Sequence, residues 1–66
     1  MQLTINNEIK ELPDDITVKE LLSQLDLAGK FVAVERNLDI VPFKTFDKTV
    51  LQNGDSLEIV TLVGGG

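Results

Sequence analysis

The chain has 66 residues, 42% of them hydrophobic and 26% charged, enough for one small globular domain but not for a second domain or a deep, walled catalytic cleft. Cysteine and histidine are both absent, which excludes disulfides, thiolate and imidazole metal ligands, thiol nucleophiles and histidine bases together. Eleven acidic against six basic residues give a net charge of -5, a balance that repels nucleic-acid phosphates and anionic lipid and favours basic partner surfaces.

Met1, Leu3 and Ile5 alternate with Gln2, Thr4 and Asn6, the period of a half-buried strand, and Asn6-Asn7 can take the positive φ values of a tight hairpin turn. A returning strand is expected over residues 8–12. Its apolar positions, Ile9 and Leu12, do not alternate, which places it at a sheet edge, and Pro13 stops further ladder donation. Thr17 and Glu20 have the spacing of a capping box, Ile16 and Leu21 that of a hydrophobic staple, and Asp14-Asp15 put negative charge near the positive end of the helix. The pattern predicts a helix over 18–26 with Val18, Leu21, Leu22 and Leu25 as one apolar stripe and Gly29 as its C-terminal cap.

Phe31-Val32-Ala33-Val34 reads as an inner strand that returns to solvent in a turn at Glu35-Arg36-Asn37. Ile40-Val41 is a brief further strand ended by Pro42, and Phe43 and Phe46 have the i, i+3 spacing of one helical or 3₁₀ turn. Val50 and Leu51 lead to the turn Asn53-Gly54-Asp55 and a last strand over 56–63. Two hairpin-like pairs around one helix predict an α+β fold: a single domain over residues 1–66, with one helix packed on one face of a mixed sheet of four to five strands. A right-handed crossover is compatible with the terminal strands lying side by side at the centre, although periodicity leaves the strand order open.

Two features stand outside this core. Leu57 and Ile59 share one face of the last strand, while Val60 and Leu62 fall on the other, which a single helix leaves bare. Either a loop or the Phe43 to Phe46 turn shields them, or they form a docking patch. The strand then runs into Gly64-Gly65-Gly66, which is either a frayed end or a flexible tail. Lacking Cβ atoms, such a tail can extend through a narrow channel and present its carboxylate to a reactive centre. That carboxylate would need a partner enzyme to activate it, for instance by adenylylation with ATP.

Other chemistry has little support. Asp14-Asp15 lacks EF-hand spacing, so no metal site is assigned; Gly29 and Gly54 are isolated, so there is no phosphate loop. Lys10, Lys19, Lys30, Arg36, Lys44 and Lys48 are dispersed, which speaks against nucleic acid. No apolar run approaches about 18 residues and Met1-Gln2-Leu3-Thr4 does not read as a signal peptide, so no membrane partner and a cytoplasmic location are expected.

Thr17-Val18-Lys19-Glu20-Leu21-Leu22, Val32-Ala33-Val34-Glu35-Arg36-Asn37, Ile40-Val41-Pro42, Val50-Leu51-Gln52-Asn53-Gly54-Asp55 and the glycine end together resemble the sulfur carrier proteins of thiamine biosynthesis, the ThiS family, over the whole length. The resemblance implies a ubiquitin-like β-grasp fold and a carrier rather than an enzyme. It implies that an E1-like adenylyltransferase activates the Gly66 carboxylate with ATP and that a sulfur donor, a cysteine desulfurase or a relay protein, converts the acyl-adenylate to a thiocarboxylate. Thiazole synthase would be the acceptor, and no cofactor would be bound by the chain itself. The family's Gly-Gly end is matched by Gly65 and Gly66, preceded here by Gly64. The family often has a basic residue after its strand-four proline, where this chain has Phe43. The small subunit of molybdopterin synthase, a protein modifier that forms isopeptide bonds and a plain interaction domain are the alternative readings.

Overall fold

The computed structural model describes residues 1–62. Strands β1 (Gln2–Ile5) and β2 (Glu8–Glu11) form an antiparallel hairpin. The two residues between them, Asn6 and Asn7, have φ values of 50° and 69°, the left-handed pair that a two-residue hairpin turn requires. All four residues of β2 are exposed and it is an edge strand, as its irregular apolar spacing predicts.

Helix α1 (Val18–Gln24) begins as the sequence dictates. The Glu20 backbone N–H donates to the Thr17 hydroxyl at 3.1 Å and the Thr17 N–H donates to the Glu20 carboxylate at 2.8 Å, closing both halves of the capping box. The staple residues Ile16 and Leu21 are buried. The helix ends two residues earlier than its apolar stripe suggests, and Gly29 is not its cap. Asp26 occupies the left-handed position at φ 60°, the Leu27 N–H donates to the Leu22 carbonyl at 2.8 Å and the Asp26 N–H to the Ser23 carbonyl at 3.2 Å. These are the two bonds of a Schellman ending, which folds Leu27 back against the core beside Leu25.

The remaining elements are β3 (Val32–Arg36), β4 (Asp39–Ile40), a 3₁₀ turn (Phe43–Thr45) and β5 (Ser56–Thr61). They complete a mixed sheet of order β2-β1-β5-β3-β4 in which β1 and β5 run parallel at the centre. Leu3, Ile5, Val34, Leu57 and Ile59 face the helix, where Val18, Leu21 and Leu22 meet them together with Ile16, Val41, Phe46 and Leu51. One helix covers one face of this sheet.

The turn after β3 lies later than residue propensity suggests. Glu35 and Arg36 stay in the strand, paired with Ile40 and Asp39, so Asn37 and Leu38 make the turn with φ values of 50° and 73°. Leucine is a poor choice there, because its Cβ crowds the backbone in the left-handed region. What overrides the propensity is the strand pairing together with Asn37, whose side chain is tied to β5 by hydrogen bonds to Asp55 and Ser56. Leu38 is 90% exposed, so its side chain contributes little packing. Leu38→Gly is therefore expected to raise stability by about 0.5–1 kcal/mol, the relief of the left-handed strain less the extra entropy of an unfolded glycine. Urea denaturation of the two proteins measures it.

Candidate functional site

The face opposite the helix is organised by β5. Alternation sends Leu57 and Ile59 into the core and leaves Glu58, Val60 and Leu62 on the outer side. Directly opposed residues of an antiparallel pair share a face; Val60 therefore lies beside Ala33, and Glu58 beside Glu35, which is in turn paired with Ile40. The Leu62 N–H donates to the Phe31 carbonyl at 2.8 Å. Val60 and Leu62 are 53% and 55% exposed. The Phe43 to Phe46 turn does not shield them, because Phe46 is buried in the helix-side core and its carbonyl accepts from the Lys19 N–H of α1 at 3.0 Å.

The outer face thus carries an apolar strip of Ala33, Val60 and Leu62, flanked by a pair of carboxylates. Glu35 and Glu58 stand directly opposite one another, an arrangement that costs about 0.2–1 kcal/mol relative to neutral partners. A cation brought by another molecule would relieve it. Glu58→Lys is expected to raise stability by about 0.5 kcal/mol by turning a like pair into an opposite one, with thermal unfolding as the measurement.

Two polar anchors hold β5 in place, and residue preference alone marks both only as turn formers. Beyond Ile5↔Leu57 the β1 backbone turns away, yet the ladder continues for one more step through a side chain. The Asn6 Nδ2 donates to the Ile59 carbonyl at 3.0 Å and the Ile59 N–H donates to Asn6 Oδ1 at 2.8 Å, so a side-chain amide replaces a peptide group. Glycine would serve the turn's backbone but not this bond; an asparagine at the head of a hairpin is the one signal that could have suggested it.

The second anchor is Asp55, buried just before β5. Its carboxylate accepts from Arg36 Nε at 2.8 Å, from Asn37 Nδ2 at 3.0 Å and from the Gln52 backbone N–H at 2.9 Å, while the Ser56 N–H donates to Asn37 Oδ1 at 2.9 Å. Burial pushes the Asp55 carboxyl up, but the Gln52 amide, the Asn37 amide and the Arg36 guanidinium together outweigh it and hold the group below its ordinary value. The β3–β4 turn is thereby pinned to the start of β5.

Val63, Gly64, Gly65 and Gly66 follow β5 in the sequence and lie outside the described residues. Among the described residues no helix is long and apolar enough to cross a membrane, and no group of three or more acidic side chains could hold a metal ion.

Residues 3–66 match the model of the ThiS family. The crystal structure of the thiamine biosynthesis protein ThiS from Geobacter metallireducens is 35% identical, covers all of both chains and superposes with a TM-score of 0.85. The sulfur carrier protein ThiS of Bacillus subtilis is 37% identical over 59 residues, 89% of each chain. A thiazole synthase of Paramagnetospirillum magneticum is 44% identical over all 66 residues, although the chain spans only 20% of that protein's length.

Proposed function

The chain belongs to the ThiS family, and from that premise we infer that it is a sulfur carrier of thiamine biosynthesis on a ubiquitin-like β-grasp fold. The observation that carries this reading is that the family's likeness runs through the whole β-grasp domain and on into Gly65-Gly66. The reacting group is the Gly66 carboxylate, with Gly64 and Gly65 as a tail that has no side chains to obstruct entry into an enzyme's centre. A carboxylate is inert towards nucleophiles, so an E1-like adenylyltransferase joins it to the adenylyl group of ATP with release of pyrophosphate. The acyl-adenylate then has a good leaving group. The persulfide of a sulfur donor, a cysteine desulfurase or a relay protein, displaces AMP to form an acyl disulfide; a second thiol cleaves this, forming a disulfide and releasing the thiocarboxylate, and thiazole synthase takes the sulfur. The stretch of a thiazole synthase that is similar to this whole chain supports that acceptor. The carrier acts as co-substrate of these enzymes and binds no cofactor itself.

Recognition falls to the outer sheet face. Val60 and Leu62 dock on the adenylyltransferase, and a cationic group of that enzyme meets Glu35 and Glu58. Replacing Val60 and Leu62 together by Ser removes apolar area worth about 2 kcal/mol when buried, or roughly thirtyfold in affinity, at little cost to the fold. Calorimetric titration with the adenylyltransferase measures it, and unchanged affinity would make these residues ordinary surface. On the same reading Glu58→Lys binds more weakly although it folds more stably.

Intact-mass analysis tests the chemistry. After incubation with adenylyltransferase, ATP, persulfide-charged sulfur donor and a thiol reductant, one oxygen of the C-terminal carboxylate should be replaced by sulfur. A lysine adduct would instead support the protein-modifier reading, and an unmodified end under conditions where pyrophosphate is released would refute sulfur transfer.

A further inference from the structure

Phe31, Phe43 and Phe46 are the chain's three aromatic residues, and all of them line one groove of about 490 Å³ between the end of α1, the loop into β3 and the 3₁₀ turn. Phe46 is buried and belongs to the core, whereas Phe31 and Phe43 are 78% and 81% exposed. Phe43 meets Phe46 edge to face, with ring centroids 5.5 Å apart and planes at 67°, so one ring is anchored and extends an apolar wall into solvent. Leu22 and Leu27 add aliphatic surface to the same groove.

The charge around it runs against that of the molecule. Lys19, Lys30 and Lys44 line the groove against the single carboxylate of Asp47. Half of the six cationic residues of a chain with net charge -5 are therefore gathered where its aromatic side chains are exposed. A concave apolar wall with a cationic rim is complementary to an apolar group flanked by carboxylates. Leu22, Leu27 and Phe46 set the groove beside the helix, and neither Val60 nor Glu58 lines it, although the carbonyl of Phe31 at its edge accepts from the Leu62 N–H at the end of the outer strip.

We propose that this groove docks a short segment of a partner protein in which one or two large apolar side chains are flanked by Asp or Glu. A second copy of this chain is the poorer occupant, because two molecules of net charge -5 repel one another. The proposal does not depend on the tail chemistry, and its test uses neither ATP nor an adenylyltransferase.

The test is an amide chemical-shift titration of the ¹⁵N-labelled full chain. The probe is an acetylated and amidated hexapeptide of an isoleucine-phenylalanine pair between two glutamates on each side; the control has lysines in place of the glutamates. Saturable shifts are expected at Lys19, Leu22, Lys30, Phe43 and Lys44, with Glu58 and Val60 unmoved, and only with the acidic peptide. The double variant Lys30→Glu, Lys44→Glu, both positions exposed, should bind about tenfold more weakly, as should wild type at high salt. Phe43→Ser should weaken binding without altering the amide dispersion that reports the fold. The proposal is overturned by no saturable shift up to about 1 mM peptide, by equal binding of the basic control, by shifts confined to the outer face, or by the same amides moving equally with inorganic phosphate. Shifts that depend on protein concentration without peptide would overturn it in favour of a second copy as occupant.

Discussion

Deleting Gly66 is expected to lower ATP–pyrophosphate exchange with the adenylyltransferase by at least about a hundredfold. The deletion draws the carboxylate back by up to about 3.6 Å along an extended chain, whereas attack on a phosphorus atom requires reacting atoms within about 3–3.5 Å, and a misplacement of about 1 Å already costs about a hundredfold. Since Gly65 then becomes the end, the shortened tail is just as narrow and the comparison isolates reach from bulk. Gly66→Ala supplies the complementary case, in which length is kept and one methyl is added. The core cluster ends at Ile59, so thermal unfolding of the shortened protein should match that of the full chain and separate lost activity from lost structure. Full exchange by the chain ending at Gly65 would make one of the three glycines spare. Full exchange with all three removed would refute the carrier function.

Asp55→Ala is expected to cost about 2–3 kcal/mol at neutral pH. The carboxylate satisfies three donors, one of them the Arg36 guanidinium, and truncation leaves them without it. The figure is below that for a fully buried ion pair because the Arg36 side chain retains 28% of its exposure. Because the folded-state pKa of Asp55 is held below its ordinary value of 3.8, its contribution is fully present above that value. It is lost as pH falls from about 4 through the lower folded-state value. The variant should therefore lack this part of the acid limb, and urea titrations at pH 7 and at strongly acidic pH should show the gap between the two proteins shrinking. An equal gap at both pH values would assign the loss to packing instead of charge.

The two polar anchors show what a local sequence pattern carries and what it does not. Asn6, Asn37 and Asp55 were recognisable as turn formers because that property depends on their own backbone preferences. That the Asn6 amide reaches Ile59, or that Asp55 gathers Arg36 and Asn37, depends on which strands become neighbours after long loops close. No local pattern encodes that choice. The C-terminal cap shows the same limit on a smaller scale. Glycine has the stronger preference for the left-handed position, yet Asp26 takes it, because Leu27 gains core contact when the helix stops at Gln24.

By itself the sequence determined the helix start, the first hairpin turn, the edge character of β2 and the split of β5 into a buried and an exposed face. Each rests on hydrogen bonds or alternation within a few residues, so intrinsic preference and side-chain period suffice. Its glycine end and scattered fold-forming segments also sufficed to identify the ThiS resemblance. The tertiary structure alone decided that β1 and β5 lie parallel at the centre, that Glu35 faces Glu58, that a leucine must hold a left-handed turn, and that three phenylalanines meet three lysines in one groove. These arrangements join residues distant in the chain, where register is selected by burying one shared core and not by the preference of any residue taken alone.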